Sequence, residues 1–269
     1  MKSNGSIVAW GQNDYGQCNV PAPNSGFVAV AGGYYHSMGL KADGSIMAWG
    51  WNAAGQCNVP APNSGFVEFA GGGFHSLGVK SDGSVRAWGH NSDGQCNVPA
   101  PNSGFVAVAA GYLHTLGLKA DGSIRAWGRN DYGQCNIPVP NSGFVTVAAG
   151  LSHSLGLKAD GSIVVWGRND LGQCNVPAPN GAFVGIGGGY GHSLGLKARS
   201  PSICPGDTNC DGQVTLADID PFVEALGGES AWNQNRPGCP WLNADCNGDG
   251  KVTFADIDPF VALLGTTCP

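Results

Sequence analysis

The sequence has little charge and no long apolar run, and each shortage excludes a class of function. Only 12% of its 269 residues are charged, and the formal net charge is −6. Nucleic-acid-binding domains carry an excess of positive charge, so we expect no nucleic-acid partner. No apolar stretch approaches the roughly 18 residues of a membrane-spanning helix, so we expect no membrane span.

Catalytic constellations and a leader peptide are missing as well. In residues 1–203, Glu68 is the only acidic residue outside turn positions that recur along the chain, so the paired carboxylates of a glycosidase are absent. No nucleophile beside a base and no phosphate-binding loop stands out, and we expect no enzymatic activity. Met1 leads directly into a repeat without a signal-peptide stretch, so we expect an upstream start or a fragment.

Glycine, by contrast, is abundant, with 45 residues that follow no collagen-like triplet. Glycine inside helices is costly, so the bulk of the chain is expected to form strands and tight turns. Charge divides the chain in two. Residues 1–203 carry 11 basic and 9 acidic residues, a net of +2, whereas residues 204–269 carry 2 and 10, a net of −8. We therefore predict a first domain over 1–198, a linker over 199–203 and a second domain over 204–269.

The first domain is built from a 39-residue repeat. Three markers recur with this spacing: a tryptophan (Trp10, Trp49, Trp88, Trp127, Trp166), a cysteine (Cys18, Cys57, Cys96, Cys135, Cys174) and a histidine (His36, His75, His114, His153, His192). Alternating apolar residues predict strands over 27–31, 36–41 and 45–49, with Asp43-Gly44 as a type I′ hairpin turn. A short fourth strand is predicted at 58–59, ended by Pro60. Such units are typical of propeller blades.

The W-G-x-N-x-x-G-Q and G-x-x-H-S-L-G-L-K elements resemble regulator-of-chromosome-condensation repeats. The resemblance covers residues 2–198 and is closest to the compact bacterial form, as in the beta-lactamase inhibitor propeller. It implies an all-β propeller. That family usually has seven blades, whereas five repeats are present here, which leaves a five-bladed ring, an open arc or part of a larger propeller. We expect a ring of five four-stranded blades, because Ser6–Val20 can supply the missing strands of the last hairpin, 183–197.

Residues that are the same in every repeat are expected to serve the fold. We expect the histidines to bond backbone groups, the tryptophans to pack between blades and the cysteines to be small buried hydrophobes. Residues that vary among the repeats are candidates for recognition, because the fold does not dictate them. Aromatic and arginine side chains at these loop positions are typical anchors for a partner. The predicted partner-binding residues of this domain are Tyr34, Tyr35, Trp51, Phe74, Tyr112, Arg129, Arg168 and Tyr190.

The second domain contains two calcium-binding loops, at residues 207–218 and 245–256. Each has oxygen-bearing side chains at loop positions 1, 3, 5 and 12 and glycine at position 6, which is the EF-hand pattern with Asp replacing Glu at position 12. We therefore predict two Ca²⁺ ions. The predicted ligands of the first are Asp207, Asn209, Asp211, the Gln213 carbonyl, Thr215 and Asp218; those of the second are Asp245, Asn247, Asp249, the Lys251 carbonyl, Thr253 and Asp256.

Each loop precedes one amphipathic helix, predicted at 218–226 and 256–264. A duplicated loop with a single following helix resembles the dockerin family, especially the cysteine-containing dockerin-like tails of planctomycete-type secreted proteins. The resemblance covers about 204–265 and implies a small α-helical domain that docks to a cohesin-like or cell-envelope protein. Partner contacts in that family involve loop positions 10 and 11, which here include Leu216 and Phe254.

Cysteine density and calcium loops together indicate an extracellular or cell-surface setting. We predict a Cys204–Cys268 disulfide that joins the ends of the second domain, and a second one between Cys210 and either Cys239 or Cys246. The protein is then a non-catalytic binding protein, whose propeller binds a protein or glycan and whose tail docks through calcium. The alternatives are a lectin-like propeller and an accessory subunit of a polysaccharide-degrading complex.

Overall fold

The computed structural model describes residues 5–197, 204–235 and 239–267. The chain divides into two compact units, Met1–Ala198 and Arg199–Pro269. The first unit is all-β and the second contains short helices. In the part of the chain that is described, no helix has the length and apolar character needed to cross a bilayer.

The first unit consists of a series of small antiparallel sheets. Its strands are β1 (Phe27–Gly32), β2 (His36–Lys41), β3 (Ile46–Gly50), β4 (Phe66–Gly71), β5 (His75–Lys80), β6 (Val85–Gly89), β7 (Phe105–Ala110), β8 (His114–Lys119), β9 (Ile124–Gly128), β10 (Phe144–Ala149), β11 (His153–Lys158), β12 (Ile163–Gly167), β13 (Phe183–Gly188) and β14 (Ser193–Lys197). Blades 1 to 4 are the three-stranded sheets β1-β2-β3, β4-β5-β6, β7-β8-β9 and β10-β11-β12, and blade 5 is the two-stranded sheet β13-β14.

The hairpin between the second and third strands of each blade differs in detail from the prediction. A type I′ turn needs positive φ at both central residues, but only Gly44 has one, at +76°. The Gly44 amide bonds the Lys41 carbonyl and the Lys41 amide bonds the Ser45 carbonyl, which gives a three-residue loop ending in a left-handed glycine. The Asp43 carboxylate accepts hydrogen bonds from the amide and hydroxyl of Ser45, as expected for a turn-forming aspartate.

The predicted fourth strand is not formed. Residues 58–59 are irregular, because the Val59 amide bonds the Cys57 carbonyl within a turn and Pro60 has no amide to offer a ladder. Val59 instead packs its side chain against the core between blades 1 and 2. Blades 1 to 4 are therefore three-stranded, with an irregular segment in place of the fourth strand.

The core lies between successive blades. Leu116, Leu118 and Ile124 of blade 3 are buried together with Phe144 and Trp166 of blade 4. Equivalent layers join blades 1 and 2 and blades 2 and 3. Each blade thus presents its leucines to the next blade and its phenylalanine and tryptophan to the previous one.

The expected ring closure is wrong in this structure. Residues 6–20 do not pair with β14 but lie beside blade 1, where Ile7 packs against Phe27 and its backbone bonds the Asn24 side chain. Trp10, at the N-terminal end, is 84% exposed, and Leu194 and Leu196, at the opposite end, are 63% and 67% exposed. The two ends therefore do not cover each other. The five blades, joined by four apolar layers, therefore form an open arc in this structure.

The second unit has a small core shared by two similar halves. Its helices are α1 (Ile219–Ala225), α2 (Glu229–Asn235) and α3 (Ile257–Leu263), with single 3-10 turns at Leu216–Asp218, Trp241–Ala244 and Phe254–Asp256. Phe222 of α1 stacks on Phe260 of α3 with ring centroids 4.7 Å apart. Trp232 of α2, a helix that the sequence pattern did not predict, is buried in the same core.

The Cys210–Cys239 disulfide ties the first loop to the segment after α2, with 5.8 Å between the Cα atoms. This selects Cys239 from the two partners that were considered, and Cys246 is a free, half-buried thiol. Cys204 is buried. Cys268 lies outside the described residues, so the predicted Cys204–Cys268 disulfide stays a prediction.

Candidate functional site: an aromatic patch on the propeller and two acidic loops

The loops of the propeller are held by side chains that link neighbouring blades. Four of the five repeated histidines are buried, and each of their Nε2 atoms lies within 2.9–3.0 Å of a hydroxyl oxygen in the next blade (His36 with Ser76, His75 with Thr115, His114 with Ser154, His153 with Ser193), whereas His192 in blade 5 is exposed. The expectation of a structural histidine fits this arrangement, but its partner is a side chain forty residues away rather than the backbone. The same hydroxyls donate to glutamine carbonyls, which extends the link.

Burial keeps these imidazoles neutral. Desolvation lowers the pKa of His36 and His114 to about 4, and desolvation reinforced by neighbouring histidines lowers that of His75 to about 3. A glycine three residues earlier makes room for each ring: a Cβ added to Gly111 would lie 2.1 Å from His114 Cε1. The G-x-x-H element therefore anchors the loop whose two x positions vary.

Four of the five repeated tryptophans also connect neighbouring blades, as predicted. The Nε1 atoms of Trp49, Trp88, Trp127 and Trp166 donate to the carbonyls of Gln17, Gln56, Gln95 and Gln134, all at 2.9 Å. The repeated cysteines are only half-buried, which corrects the prediction that they are small buried hydrophobes. Their thiols donate to backbone carbonyls six residues earlier, and burial raises the pKa of Cys57, Cys96 and Cys135 to about 11.

Six aromatic side chains carried by these loops form one continuous surface, which we call the aromatic patch: Tyr15, Tyr34, Tyr35, Trp51, Phe74 and Tyr112. Neighbouring rings lie 4.6–6.4 Å apart, mostly edge to face. Five of the six were predicted as partner-binding residues. Tyr15 was missed, although its position also varies among the repeats (Tyr15, Ala54, Asp93, Tyr132, Leu171).

Beyond Tyr112 the surface becomes mixed in charge. Arg129 and Arg168 each pair with an aspartate two residues later, Asp131 and Asp170. The Arg168 guanidinium also lies 5.1 Å from the ring centroid of Tyr132, a second residue that the sequence did not single out. These two arginines and Tyr112 line a groove of about 170 Å³. The arginines are thus already neutralised by their own loops, so they offer donors rather than net charge.

A glycine-lined hollow lies at the inner ends of the blades. It has a volume of about 230 Å³, and Gly72, Gly111 and Gly150 are among its walls. Tyr34, Tyr112 and Tyr190 stand on its rim, and Tyr34 and Tyr190 are largely exposed. Burial and the neighbouring tyrosines raise the pKa of Tyr112, so its phenol stays protonated and can donate. All eight predicted partner-binding residues of the propeller therefore line the aromatic patch, the hollow or the groove.

In the second unit, the two predicted calcium loops have the same internal bonding. In the second loop, the Asp245 carboxylate accepts amides of Gly248, Asp249 and Gly250, and the Asp256 carboxylate accepts those of Cys246, Asn247 and Thr253. Gly250 at loop position 6 has a φ of +81°. The first loop repeats this pattern, with Asp207 and Asp218 in the equivalent roles and Gly212 at +90°.

The carboxylates at loop positions 1 and 12 are buried in both loops (Asp207, Asp218, Asp245, Asp256). The ion pairs of the described residues involve neither Asp218 nor Asp256. Asp211, Asn247 and Asp249 are exposed and Asn209 is half-buried; Gln213 and Lys251, which follow in their loops, are exposed as well. The donors are therefore oxygen atoms, as a hard divalent cation requires. Among the residues described, however, no three His, Cys, Asp or Glu side chains converge on one point.

Two exposed apolar stripes follow the loops. Leu216, Ile219 and Val223 form the first, and Phe254, Ile257 and Val261 the second, at the i, i+3, i+7 spacing of one helix face. Leu216 is 72% and Phe254 77% exposed, so both predicted docking residues are accessible on this unit. Thr215 and Thr253 cap the 3-10 turns that begin the stripes, each accepting an amide two residues later.

Comparison with known proteins agrees with the propeller. The regulator of chromosome condensation (RCC1) repeat matches residues 27–56, 66–95, 105–134 and 144–173, so the chain contains RCC1 repeats. No curated protein matches the sequence.

The solved structures that resemble the chain include Prp20p from Saccharomyces cerevisiae, described with its binding to Gsp1p and histones (21% identity, TM-score 0.55, 64% of this chain and 56% of that one). The ectodomain of the Physcomitrella patens receptor kinase CR4 is similar as well (24% identity, TM-score 0.60, 74% and 55%). So is the ectodomain of the Arabidopsis thaliana receptor kinase ACR4 (23% identity, TM-score 0.56, 72% and 71%). The chain spans just over half the length of Prp20p and CR4, and these likenesses show the fold.

Proposed function

Starting from a chain that contains RCC1 repeats, we propose a non-catalytic binding protein that recognises another protein through the aromatic patch. The observation that carries the proposal is the continuity of that patch, in which rings from the N-terminal segment and three blades touch in series. Large aromatic side chains, partly exposed and held by a rigid scaffold, are the residues that dominate binding energy at protein interfaces. That Prp20p binds proteins is consistent with this use of the fold.

The geometry of the rings favours a protein over a glycan. Sugars stack on flat, open ring faces, whereas here Tyr34 meets Tyr35 at 90° and Trp51 meets Phe74 at 67°, so that edges cover faces. Between them the rings leave an uneven apolar surface beside a hollow of about 230 Å³. Apolar side chains of a protein loop or helix fit such a surface, and the paired arginines offer donors to backbone carbonyls at its edge.

The test compares three full-length proteins immobilised on beads. Wild type, Trp51→Ala and the matched control Val139→Ala, which removes a 90% exposed apolar side chain away from the patch, are each exposed to native envelope and secreted fractions. We expect the same protein to be retained by wild type and control and lost with Trp51→Ala. Retention unchanged by Trp51→Ala, or saturable binding on a glycan array abolished by it, would refute protein recognition by the patch.

We further propose that the second unit binds two Ca²⁺ ions and docks to a cohesin-like or envelope partner. Support comes from the two matching loops, the oxygen donors at equivalent positions and the buried carboxylates of Asp218 and Asp256, which form no ion pair within the described residues. A calcium ion would neutralise these carboxylates and fix the loops, and the apolar stripes would then be presented as a rigid surface. Calorimetric titration of the full chain should give two ions per molecule, and any other stoichiometry argues against the assignment.

We place the protein outside the cell or at its surface. The Cys210–Cys239 disulfide persists in an oxidising compartment, and millimolar calcium would keep both loops occupied. The similarity to two receptor ectodomains is consistent with this setting. In native fractions, the protein should be found with the disulfide formed, as shown by labelling of free thiols before and after reduction.

A further inference from the structure

The hollow at the inner ends of the blades has a floor that the fold dictates and a rim that it does not. The floor contains the glycine of each G-x-x-H element, and a Cβ added to any of these glycines would lie 2.1–2.4 Å from the Cε1 atom of the histidine behind it. The rim is formed by the residue that follows this glycine in each blade, namely Tyr34, Gly73, Tyr112, Leu151 and Tyr190. Packing therefore explains the glycines, but it does not explain tyrosines at three of the five rim positions.

The main-chain amides of the hollow are already used, which argues against an anionic ligand. Glycine-rich loops often bind anions through their N–H groups. Here the five floor glycines donate to the histidine carbonyls of their own blades. Four of the five rim amides donate to the next blade, for example Tyr34 to the Gly72 carbonyl at 3.1 Å and Leu151 to the Gly189 carbonyl at 3.2 Å. The tyrosine rings and hydroxyls remain, and a ring attracts a cation while a phenol oxygen accepts its hydrogen bond.

The tyrosines of the rim lie close to one another. The ring centroids of Tyr34 and Tyr112 are 5.6 Å apart. Burial, and after it the phenols of Tyr34, Tyr35 and Tyr190, raise the pKa of Tyr112, so that phenols of blades 1, 3 and 5 influence one another across the hollow. All six tyrosines of the chain belong to loops at this end of the blades: Tyr15, Tyr34, Tyr35, Tyr112, Tyr132 and Tyr190.

Charge on the propeller is divided between the two ends of its strands. Residues 5–197 carry nine basic and nine acidic side chains, a net of zero. The G-x-x-H and W-G-x-N-x-x-G-Q loops, at the end with the hollow, have a net charge of −2, from four aspartates and two arginines (Asp14, Asp93, Asp131, Asp170, Arg129, Arg168). The remaining seven basic and five acidic side chains give +2, and they include all five lysines. Lys41 ends the strand that His36 begins, so the lysines lie at the opposite end.

We propose that the hollow binds a lysine or arginine side chain of the protein partner, held among Tyr34, Tyr112 and Tyr190. The inference rests on the proposed function and specifies the partner, whose contact segment would carry this basic side chain beside apolar ones that pack on the aromatic patch. Attraction of the cation to the rings, hydrogen bonds to the phenol oxygens and the acidic loops around them all favour the same ligand. A hollow of about 230 Å³ accommodates one long side chain.

The first test titrates the full-length protein, labelled with ¹³C in its tyrosine rings, with the capped tripeptides Gly-Lys-Gly and Gly-Arg-Gly. Every labelled ring lies at the end of the blades that carries the hollow, so NMR reports on this surface alone. We expect saturable shifts of the Tyr34, Tyr112 and Tyr190 signals. The matched peptide with norleucine, which keeps the aliphatic chain of lysine but lacks its ammonium group, should cause none. No shift at peptide concentrations up to about 50 mM, or equal binding of the norleucine peptide, overturns the proposal.

A second test assigns the binding to the rim. Tyr190→Leu, at a position that is 64% exposed and therefore tolerant of substitution, should weaken binding of the lysine tripeptide by about fivefold, whereas Tyr190→Phe, which keeps the ring, should retain most of it. The control Val139→Ala should bind as wild type does. Binding of the lysine tripeptide that Tyr190→Leu leaves unchanged refutes the tyrosine hollow as the site.

This proposal and the proposed function can fail separately. If Trp51→Ala loses the retained protein but the tripeptides do not bind, the aromatic patch stands as a protein-binding surface and the cation site is refuted. If the lysine tripeptide shifts the rim tyrosines but Trp51→Ala still retains the same protein, the cation site stands and recognition through the patch is refuted.

Discussion

Acidification should destabilise the propeller through its buried histidines before the turn aspartates, whose pKa values are lowered, become protonated. In the folded protein, burial holds the pKa of His36 and His114 near 4 and that of His75 near 3, against 6.5 for the exposed side chain. Between these values the unfolded chain binds protons that the folded chain does not. Stability is therefore fully present above about pH 6.5 and falls as the pH approaches 4.

The size of the effect follows from the pKa difference. At pH 5 an unfolded imidazole is almost fully protonated and a buried one is not, which costs about 2 kcal/mol per histidine relative to pH 7.5. The three residues together give about 6 kcal/mol, a large share of the stability of a single domain. The turn aspartates, such as Asp43, have lowered pKa values because serine side chains and amides donate to them, so their contribution is lost only at lower pH.

The assay is denaturant unfolding of the full chain at pH 7.5, 6 and 5 with calcium in excess, followed by tryptophan fluorescence. Six of the eight tryptophans belong to the propeller, so its unfolding dominates the signal. We expect His114→Gln to be less stable than wild type at pH 7.5 but to lose about 2 kcal/mol less on acidification. The control Val139→Ala should keep the full pH dependence. A wild-type stability that is flat from pH 7.5 to 5, or an unchanged slope in His114→Gln, would refute the reasoning.

Two further predictions concern glycine and calcium. Gly111→Ala places a methyl group against the His114 ring and should lower the unfolding free energy by about 3 kcal/mol. The control Gly32→Ala, which has open space around the added methyl group, should change the unfolding free energy by at most about 0.5 kcal/mol. Equal effects of the two substitutions would contradict the packing argument. Addition of a calcium chelator should lower the melting temperature of the second unit in differential scanning calorimetry, and added calcium should restore it. Asp218→Asn should reduce the number of ions bound in the calorimetric titration by one. A melting curve that the chelator does not change contradicts metal-dependent folding.

Much of the propeller could be predicted because each sequence pattern that marks a strand or a turn recurs in every repeat. A single stretch such as 36–41 is ambiguous, but five aligned copies show which positions alternate and which glycines never vary, and the observed strands agree to within about one residue. The candidate recognition residues followed from the complementary pattern, since the loop positions that vary among the repeats include those that carry the aromatic patch.

The predictions that failed concern contacts between residues that are far apart in the sequence, which a local sequence pattern does not determine. The hydroxyl partner of each histidine belongs to the next blade, and a periodic sequence does not say which of its copies touch. Whether the arc closes depends on the angle that bulky side chains such as Phe144 and Trp166 impose between blades, and an integer number of repeats does not determine that angle. Helix α2 was missed because Glu229–Asn235 has no apolar period, and Trp232 is its buried residue among those whose burial is described.

The histidine–hydroxyl links have a consequence for how this protein can change over time. Each link joins one blade to its immediate neighbour with the same offset of forty residues, so the links themselves tie no blade to a distant one. Deletion or duplication of a whole 39-residue unit, as unequal recombination between near-identical DNA repeats produces, would leave every remaining junction intact. The number of blades could then change during evolution by whole repeats, and each variant with one repeat more or fewer would still fold.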